Sequence, residues 1–224
     1  GQCQEPMSYL RTQAHKEQKS RLPYILRHDT TFGNELENKP AQTTRVWVNN
    51  INGLNGFPHD ASINHIIDIL QEMDSDIMLI NEHNMHWKRL TKKTISYYLS
   101  QRNIKQHKIV GTSSSELCER HYQPGGCAII LKGAVVGRIA GYGSDEKGLG
   151  RWCYVKLNGK SKTLWFISAY RVQHNPQGGT ETVYAQQKRL LTKMGQNNLE
   201  PQAQWDSDFI AFLRSIPSTD EIII

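Results

Sequence analysis

RVWVNNINGLNG, Arg45–Gly56, is an apolar, β-branched run that stops at a cluster of amides and glycines. Val46 and Val48 flank Trp47, which reads as a buried strand. Four asparagines fall within the seven residues from Asn49 to Asn55, more amide than a simple turn needs. Downstream, DASINHIIDILQEM (Asp60–Met73) spaces Ile63, Ile66, Ile67 and Leu70 as one helical face, with Asp60 or Ser62 as N-cap. DIMLINE (Asp76–Glu82) is a second short apolar strand that ends in polar residues. Strands alternating with helices pair side by side and hold ligands outside their carboxyl ends. Asn50, Asn52 and Glu82 are therefore expected at one edge. A lone carboxylate among amides suits a hard cation such as Mg²⁺, which takes few protein ligands and keeps waters or phosphate oxygens.

The rest of the chain extends this pattern. Residues 1–43 are polar, mixed in charge and without period, so a mobile lead-in is expected there and a structured unit over 44–224. A helix is expected from about Trp87 to Arg102. HKIVGT, GGCAIILKG and AVVGRIAGY read as strands between His107 and Tyr142. In RWCYVKLNGKSKTLWFISAYR (Arg151–Arg171), two β-rich runs flank Asn158-Gly159, a strong hairpin signal. Helices are expected at about Glu181–Met194 and Gln202–Ile216, and DEIII (Asp220–Ile224) opens a further strand. A hairpin-rich middle between helical flanks favours a layered α/β architecture with packed sheets over a regular parallel sheet.

Composition narrows the function classes. The 224 residues carry a formal charge of +6, and from Met85 to Val110 there are seven basic residues and no acid. Lys88, Arg89, Lys92 and Lys93 lead that block, which is either a solvated helix face or a footprint for a phosphate backbone. Cys3, Cys118, Cys127 and Cys153 form no C-x-x-C pair and no zinc pattern with histidine. No secretory hydrophobic region and no long charge-free apolar run is present. The expectation is an intracellular protein with free thiols, the nucleus being one candidate compartment, neither secreted nor membrane-associated.

VNNINGL (Val48–Leu54) followed by IMLINEHN (Ile77–Asn84) resembles the first two motifs of the exonuclease III-like endonuclease/exonuclease/phosphatase superfamily. That family shows W-N-x-x-G-L and, about thirty residues later, L-x-Q-E. PGGCAIIL (Pro124–Leu131) resembles its G-G-x-A strand, and FISAYR (Phe166–Arg171) the strand ending in A-Y. GRW, L-x-GK and SAYR together resemble the endonuclease-like domains of eukaryotic mobile elements, of the retrotransposon kind. The resemblance runs from about Arg45 to the C-terminus. It implies a DNase I-like four-layer α/β-sandwich and Mg²⁺- or Mn²⁺-dependent phosphodiester hydrolysis of nucleic acid. Glu82 takes the place of the metal-binding Glu, Asn50 that of the motif Asn, and Tyr170 that of the active-site Tyr. Asn52 and Arg171 are candidates for phosphate contact.

The departures are specific. Asn81 stands where the family often has Gln, Asn52 where some members have Asp, and Arg171-Val172-Gln173 replaces a turn with proline. The G-D-x-N motif, a later Asp and the final S-D-H are not found. EIII would lead into G-D-x-N, so the chain is expected to be the N-terminal portion of such a domain, with little activity alone. Two alternatives stand beside the nuclease: a phosphatase acting on a small or lipid phosphate, and a degenerate domain that only binds nucleic acid. Locally, Asn50 and Asn52 can serve as turn residues and Tyr170 as a core aromatic. His83, His86, His121 and His174 have no orienting carboxylate in sequence and read as surface residues.

Overall fold

The computed structural model describes residues 38–54, 61–88, 92–116, 118 and 122–224. Residues 1–37 of the expected lead-in, the candidate cap Asp60 and the basic Arg89 lie outside the described residues, as do the side chains of Lys92 and Lys93. From Lys39 the chain is anchored, its ammonium 3.0 Å from Asp76 and 3.3 Å from Asp74.

The first strand, β1 (Val46–Asn50), leads to helix α1 (Ala61–Glu72) and strand β2 (Ile77–Asn81). Helix α2 (Lys92–Gln101) precedes β3 (His107–Thr112) and β4 (Cys127–Lys132). These four strands form one sheet in the order β1-β2-β4-β3, with β1 parallel to β2 and the other pairs antiparallel. A second sheet holds β5 (Ile139–Ser144), β6 (Trp152–Asn158), β7 (Thr163–Ala169) and β8 (Glu221–Ile223) in that order. Helices α3 (Val183–Lys193) and α4 (Pro201–Ser215) connect β7 to its parallel neighbour β8.

Side-chain alternation builds four layers from these pieces. On β2, Met78 and Ile80 face α1 and α2, where Ile63, Ile66, Ile67, Leu70, Ile95 and Leu99 are buried. Ile77 and Leu79 face the other way and meet Val155, Leu157 and Phe166 of the second sheet. The far face of that sheet presents Trp152, Trp165 and Ile167 to Phe209 and Phe212 of α4. The order is helix, sheet, sheet, helix, the four-layer α/β-sandwich expected. Helix α1 closes through Asp74 at φ +43°, with Ser75 N–H on Leu70 O, and α2 closes likewise through Asn103 at φ +59°.

Trp87 and Lys88 form a π-helical turn and Lys92–Gln101 is α-helical, in line with the helix expected from about Trp87; the Trp87 ring lies 5.1 Å from that of His83 and its backbone N–H reaches Ser113 Oγ at 3.0 Å. Two boundaries differ from the sequence reading. AVVGRIAGY is not one strand. Gly133–Arg138 form a 3₁₀ turn that sinks Val135 between the sheets, and only Ile139 onward is extended. The β6–β7 hairpin turns over Gly159–Lys162 rather than tightly at Asn158-Gly159; Asn158 itself pairs with Thr163, and Gly159 N–H donates to Lys162 O.

One charged group is fully buried. Arg151, just before β6, donates to both oxygens of Asp145 at 2.7 and 2.9 Å and to Asp208 of α4 at 2.8 Å, with its guanidinium 4.4 Å over Trp152. Lys147 also reaches Asp208 at 2.8 Å, so two cations meet two carboxylates. The main chain of Arg151 accepts from Tyr170 N–H at 2.8 Å and from Cys127 Sγ at 3.3 Å, tying the network to the strand ends described next. Arg151→Met leaves Asp145 buried without its partner and is expected to lower unfolding free energy by about 3–5 kcal/mol, measured by urea titration. Arg171→Met, which breaks an exposed pair with Asp206, is expected to leave stability essentially unchanged.

Candidate active site

Because β1 and β2 are parallel neighbours in register, Asn50 pairs with Asn81 and both strands end at one rim. Asn50 Oδ1 accepts the N–H of Asn52 at 3.1 Å, an Asx turn that bends the chain away from the sheet. Asn52 then sits at φ +46°. Asn49 pairs with Ile80 and shares the helix-side face of β1 with Trp47. The amides of the opening stretch thus have separate work: one turns the chain, one takes the left-handed position, one faces the helix layer.

Glu82 follows Asn81 directly and adopts φ +54°. A left-handed glutamate costs about 1–2 kcal/mol, and strain of this kind concentrates at functional sites. The neighbouring loop holds it there. Asn84, buried and also left-handed, exchanges hydrogen bonds with Gly125: its N–H donates to Gly125 O at 2.9 Å and its Oδ1 accepts Gly125 N–H at 2.7 Å. Gly126 passes so close to His83 that a Cβ there would lie 2.4 Å from the imidazole, and its φ of +88° excludes side chains independently. The glycine pair is therefore dictated by backbone, as expected for a tight start to β4. On the other side, the Ser168 hydroxyl of β7 lies 2.9 Å from Ile80 O and 2.8 Å from Asn81 Oδ1, pinning the two sheets together beneath Glu82.

These strand ends open into a cleft of about 320 Å³. Asn52, Glu82, Tyr122 and Tyr170 line it from the strand ends and β4 loop, and His174, Glu181 and Tyr184 from the segment after β7. The Tyr170 phenol and the Glu82 carboxylate line the cleft together, close enough for the carboxylate to act on the phenol's ionisation. Burial first, and Glu82 second, push that phenol above the ordinary tyrosine range, so it is a neutral donor. Tyr122 is raised for the same two reasons in the same order. Among the described residues the cleft lining contains two carboxylates, several amides and no Lys or Arg. Such a hard-oxygen set fits Mg²⁺ or Mn²⁺, although among the described residues no group of three or more His, Cys, Asp or Glu converges as a metal cage.

Of the residues singled out in the sequence, Asn50, Asn52, Glu82 and Tyr170 gather at this rim. Arg171 points elsewhere, its guanidinium paired with both oxygens of Asp206 at 2.7 Å. The basic block disperses. Lys88 is exposed, Arg102 is held by Asp68 at 2.7 Å, and Lys108 lies 3.8 Å over the Tyr142 ring at the β3 edge. Cys127 and Cys153 are buried and free, their thiols raised chiefly by burial. His83 is not a surface residue. It is wholly buried, with Nε2 2.9 Å from Thr112 O and Nδ1 accepting Met85 N–H at 3.1 Å. His174 faces the cleft beside a carboxylate that sequence proximity did not reveal, since Glu200 is 26 residues away in the chain.

Burial lowers the His83 pKa from 6.5 to about 4. The unfolded chain therefore takes up a proton on this residue as pH falls through 6.5, while the folded chain does so only near 4. Stability is expected to drop across that window by about 3 kcal/mol from this group alone. Urea titrations at pH 7, 5.5 and 4.5 check this: His83→Gln should lose that part of the acid sensitivity, and an unchanged slope would refute the assignment.

No protein-family model matches the chain, and no curated protein matches it. Solved structures do. The AP endonuclease LMAP from Leishmania major superimposes with a TM-score of 0.50 at 13% identity, over 80% of this chain and 53% of that one. The 3′ phosphatase NExo from Neisseria, bound to product DNA hairpin, gives 0.46 at 12% identity over 77% and 52%. An endonuclease/exonuclease/phosphatase family protein from Leptotrichia buccalis gives 0.44 at 12% over 67% and 63%. The chain thus spans about half to two thirds of the length of the structures it resembles. At this identity the likeness concerns architecture, and it places the chain in the DNase I-like fold of the endonuclease/exonuclease/phosphatase proteins.

Proposed function

We propose that this chain is the N-terminal portion, from about residue 44, of an endonuclease/exonuclease/phosphatase domain that hydrolyses phosphodiesters in nucleic acid with Mg²⁺ or Mn²⁺. The observation that carries the reading is the meeting of Glu82 and Tyr170 at the mouth of parallel strands, in a cleft whose described lining holds two acids and several amides and no lysine or arginine. Nucleases and phosphatases named among the structural neighbours support it. A divalent ion bound there polarises phosphoryl oxygens and stabilises the leaving group. Glu82 is the residue that holds it. Tyr170 keeps one carboxylate oxygen oriented and, as a neutral phenol, offers a donor toward a phosphate oxygen. Asn52 lines the approach, and Asn50 fixes the turn that brings it there. The second reading, hydrolysis of a small phosphate monoester, draws on the cleft's size, which lies at the low end of small-molecule pockets and suits one compact ligand.

Titration of the chain with Mn²⁺, followed by electron paramagnetic resonance, is expected to show one saturable site that Glu82→Gln weakens about tenfold or more. Identical binding by the variant would exclude Glu82. Cleavage of single-stranded DNA by these 224 residues is expected to be slow at best, since one carboxylate faces Tyr170 and few other acids are near. Preferential turnover of a soluble monoester would select the second reading.

A further inference from the structure

His174 lies in the cleft, four residues beyond Tyr170, and among the described residues it is the lining side chain able to become a cation, since none of the others there is His, Lys or Arg. Its ring meets Tyr184 of α3 edge-on, centroids 5.5 Å apart at 86°. Its Nδ1 is 3.9 Å from Glu200 Oε2. Glu200 does not depend on the histidine for its position: Tyr184 donates its hydroxyl to this carboxylate, and Lys188 Nζ reaches it at 2.9 Å. Those contacts, Tyr184 first, hold the Glu200 carboxyl below the usual carboxylate range, so it is an anion wherever an imidazole titrates. The pair is half exposed and adds little to stability. At 3.9 Å the contact is electrostatic rather than a hydrogen bond, and it biases the ring to face Glu200. A ring nitrogen turned to a carboxylate leaves the other free for a ligand.

We propose that His174, oriented by Glu200, is the phosphate-contacting cation of this cleft. The proposal rests on the phosphodiester reading above. A phosphate entering a space lined by Glu82 and Glu181 meets repulsion from both, and an imidazolium at its edge supplies the opposing charge and a directed N–H. The charged and titratable groups around it are Glu200 from the loop before α4, Tyr184 and Lys188 from α3, and Glu82, Glu181, Tyr122 and Tyr170 in the cleft.

The test is anisotropy of a fluorescein-labelled single-stranded oligonucleotide with excess chelator, so that no metal contributes, from pH 8 to pH 6. Wild-type affinity should tighten roughly five- to tenfold over this range, the scale of one charge-assisted hydrogen bond. His174→Ala should bind weakly with a flat profile. His174→Lys should bind well and also be flat, which a merely structural role would not produce. A His174→Ala curve that follows wild type overturns the proposal while leaving the Mn²⁺ site at Glu82 intact. Loss of both Mn²⁺ and oligonucleotide binding in the wild-type chain would overturn the phosphodiester reading and this proposal with it.

Discussion

Parallel pairing of β1 with β2 is the constraint on which the rest of the molecule depends. A parallel neighbour reached through α1 must end at the same rim as the strand before it. That geometry sets Asn50 beside Asn81, and it makes the next residue, Glu82, the one that leaves the sheet. Were the pair antiparallel, the amides and the carboxylate would sit at opposite ends of the sheet. The antiparallel strands β3 and β4 and the whole second sheet then serve to bury β2 on both faces, so that the rim rests on a rigid floor.

The rim itself is held by hydrogen bonds rather than by apolar packing. Asn84 pairs with Gly125, Ser168 bridges to Ile80 and Asn81, and Arg151 accepts from Tyr170 N–H through its carbonyl while its guanidinium binds Asp145 and Asp208. Apart from Arg151–Asp145, which are neighbours in sequence, each link joins segments distant in the chain, and each is buried or partly so, where an unmade bond is costly. Glu82, Asn52 and Asn84 share a left-handed backbone. The surrounding bonds offset that strain and leave the Glu82 side chain with few alternatives. Preorganisation of this kind is what a site built on a single carboxylate requires.

Electrostatically the cleft runs against the chain as a whole. The protein is basic overall, yet among the described residues the cleft lining offers two acids and, as a potential cation, His174. The basic residues of the Met85–Val110 block that the structure describes are instead spread over other surfaces or neutralised, as Arg102 is by Asp68. Net charge therefore bears on long-range approach of an anionic partner. On the proposed function, recognition of a phosphate within the cleft would fall to a bound cation and to imidazole.

The sequence by itself determined the elements and the rim. β-branched runs around Trp47 and Leu79, the isoleucine stripe of α1 and the strand pair around Asn158 are local patterns, set by side-chain period, and Asn50 and Glu82 were legible because each directly ends such a run. What only the tertiary structure decided depends on partners distant in sequence. Arg171 went to Asp206, and His83 was buried as a neutral donor to Thr112. His174 gained Glu200, and Arg151 its two aspartates. The physical reason is that hydrogen bonds and ion pairs need particular atoms within about 3–4 Å, and no period in a sequence encodes which distant residue the packing of sheets will bring that close.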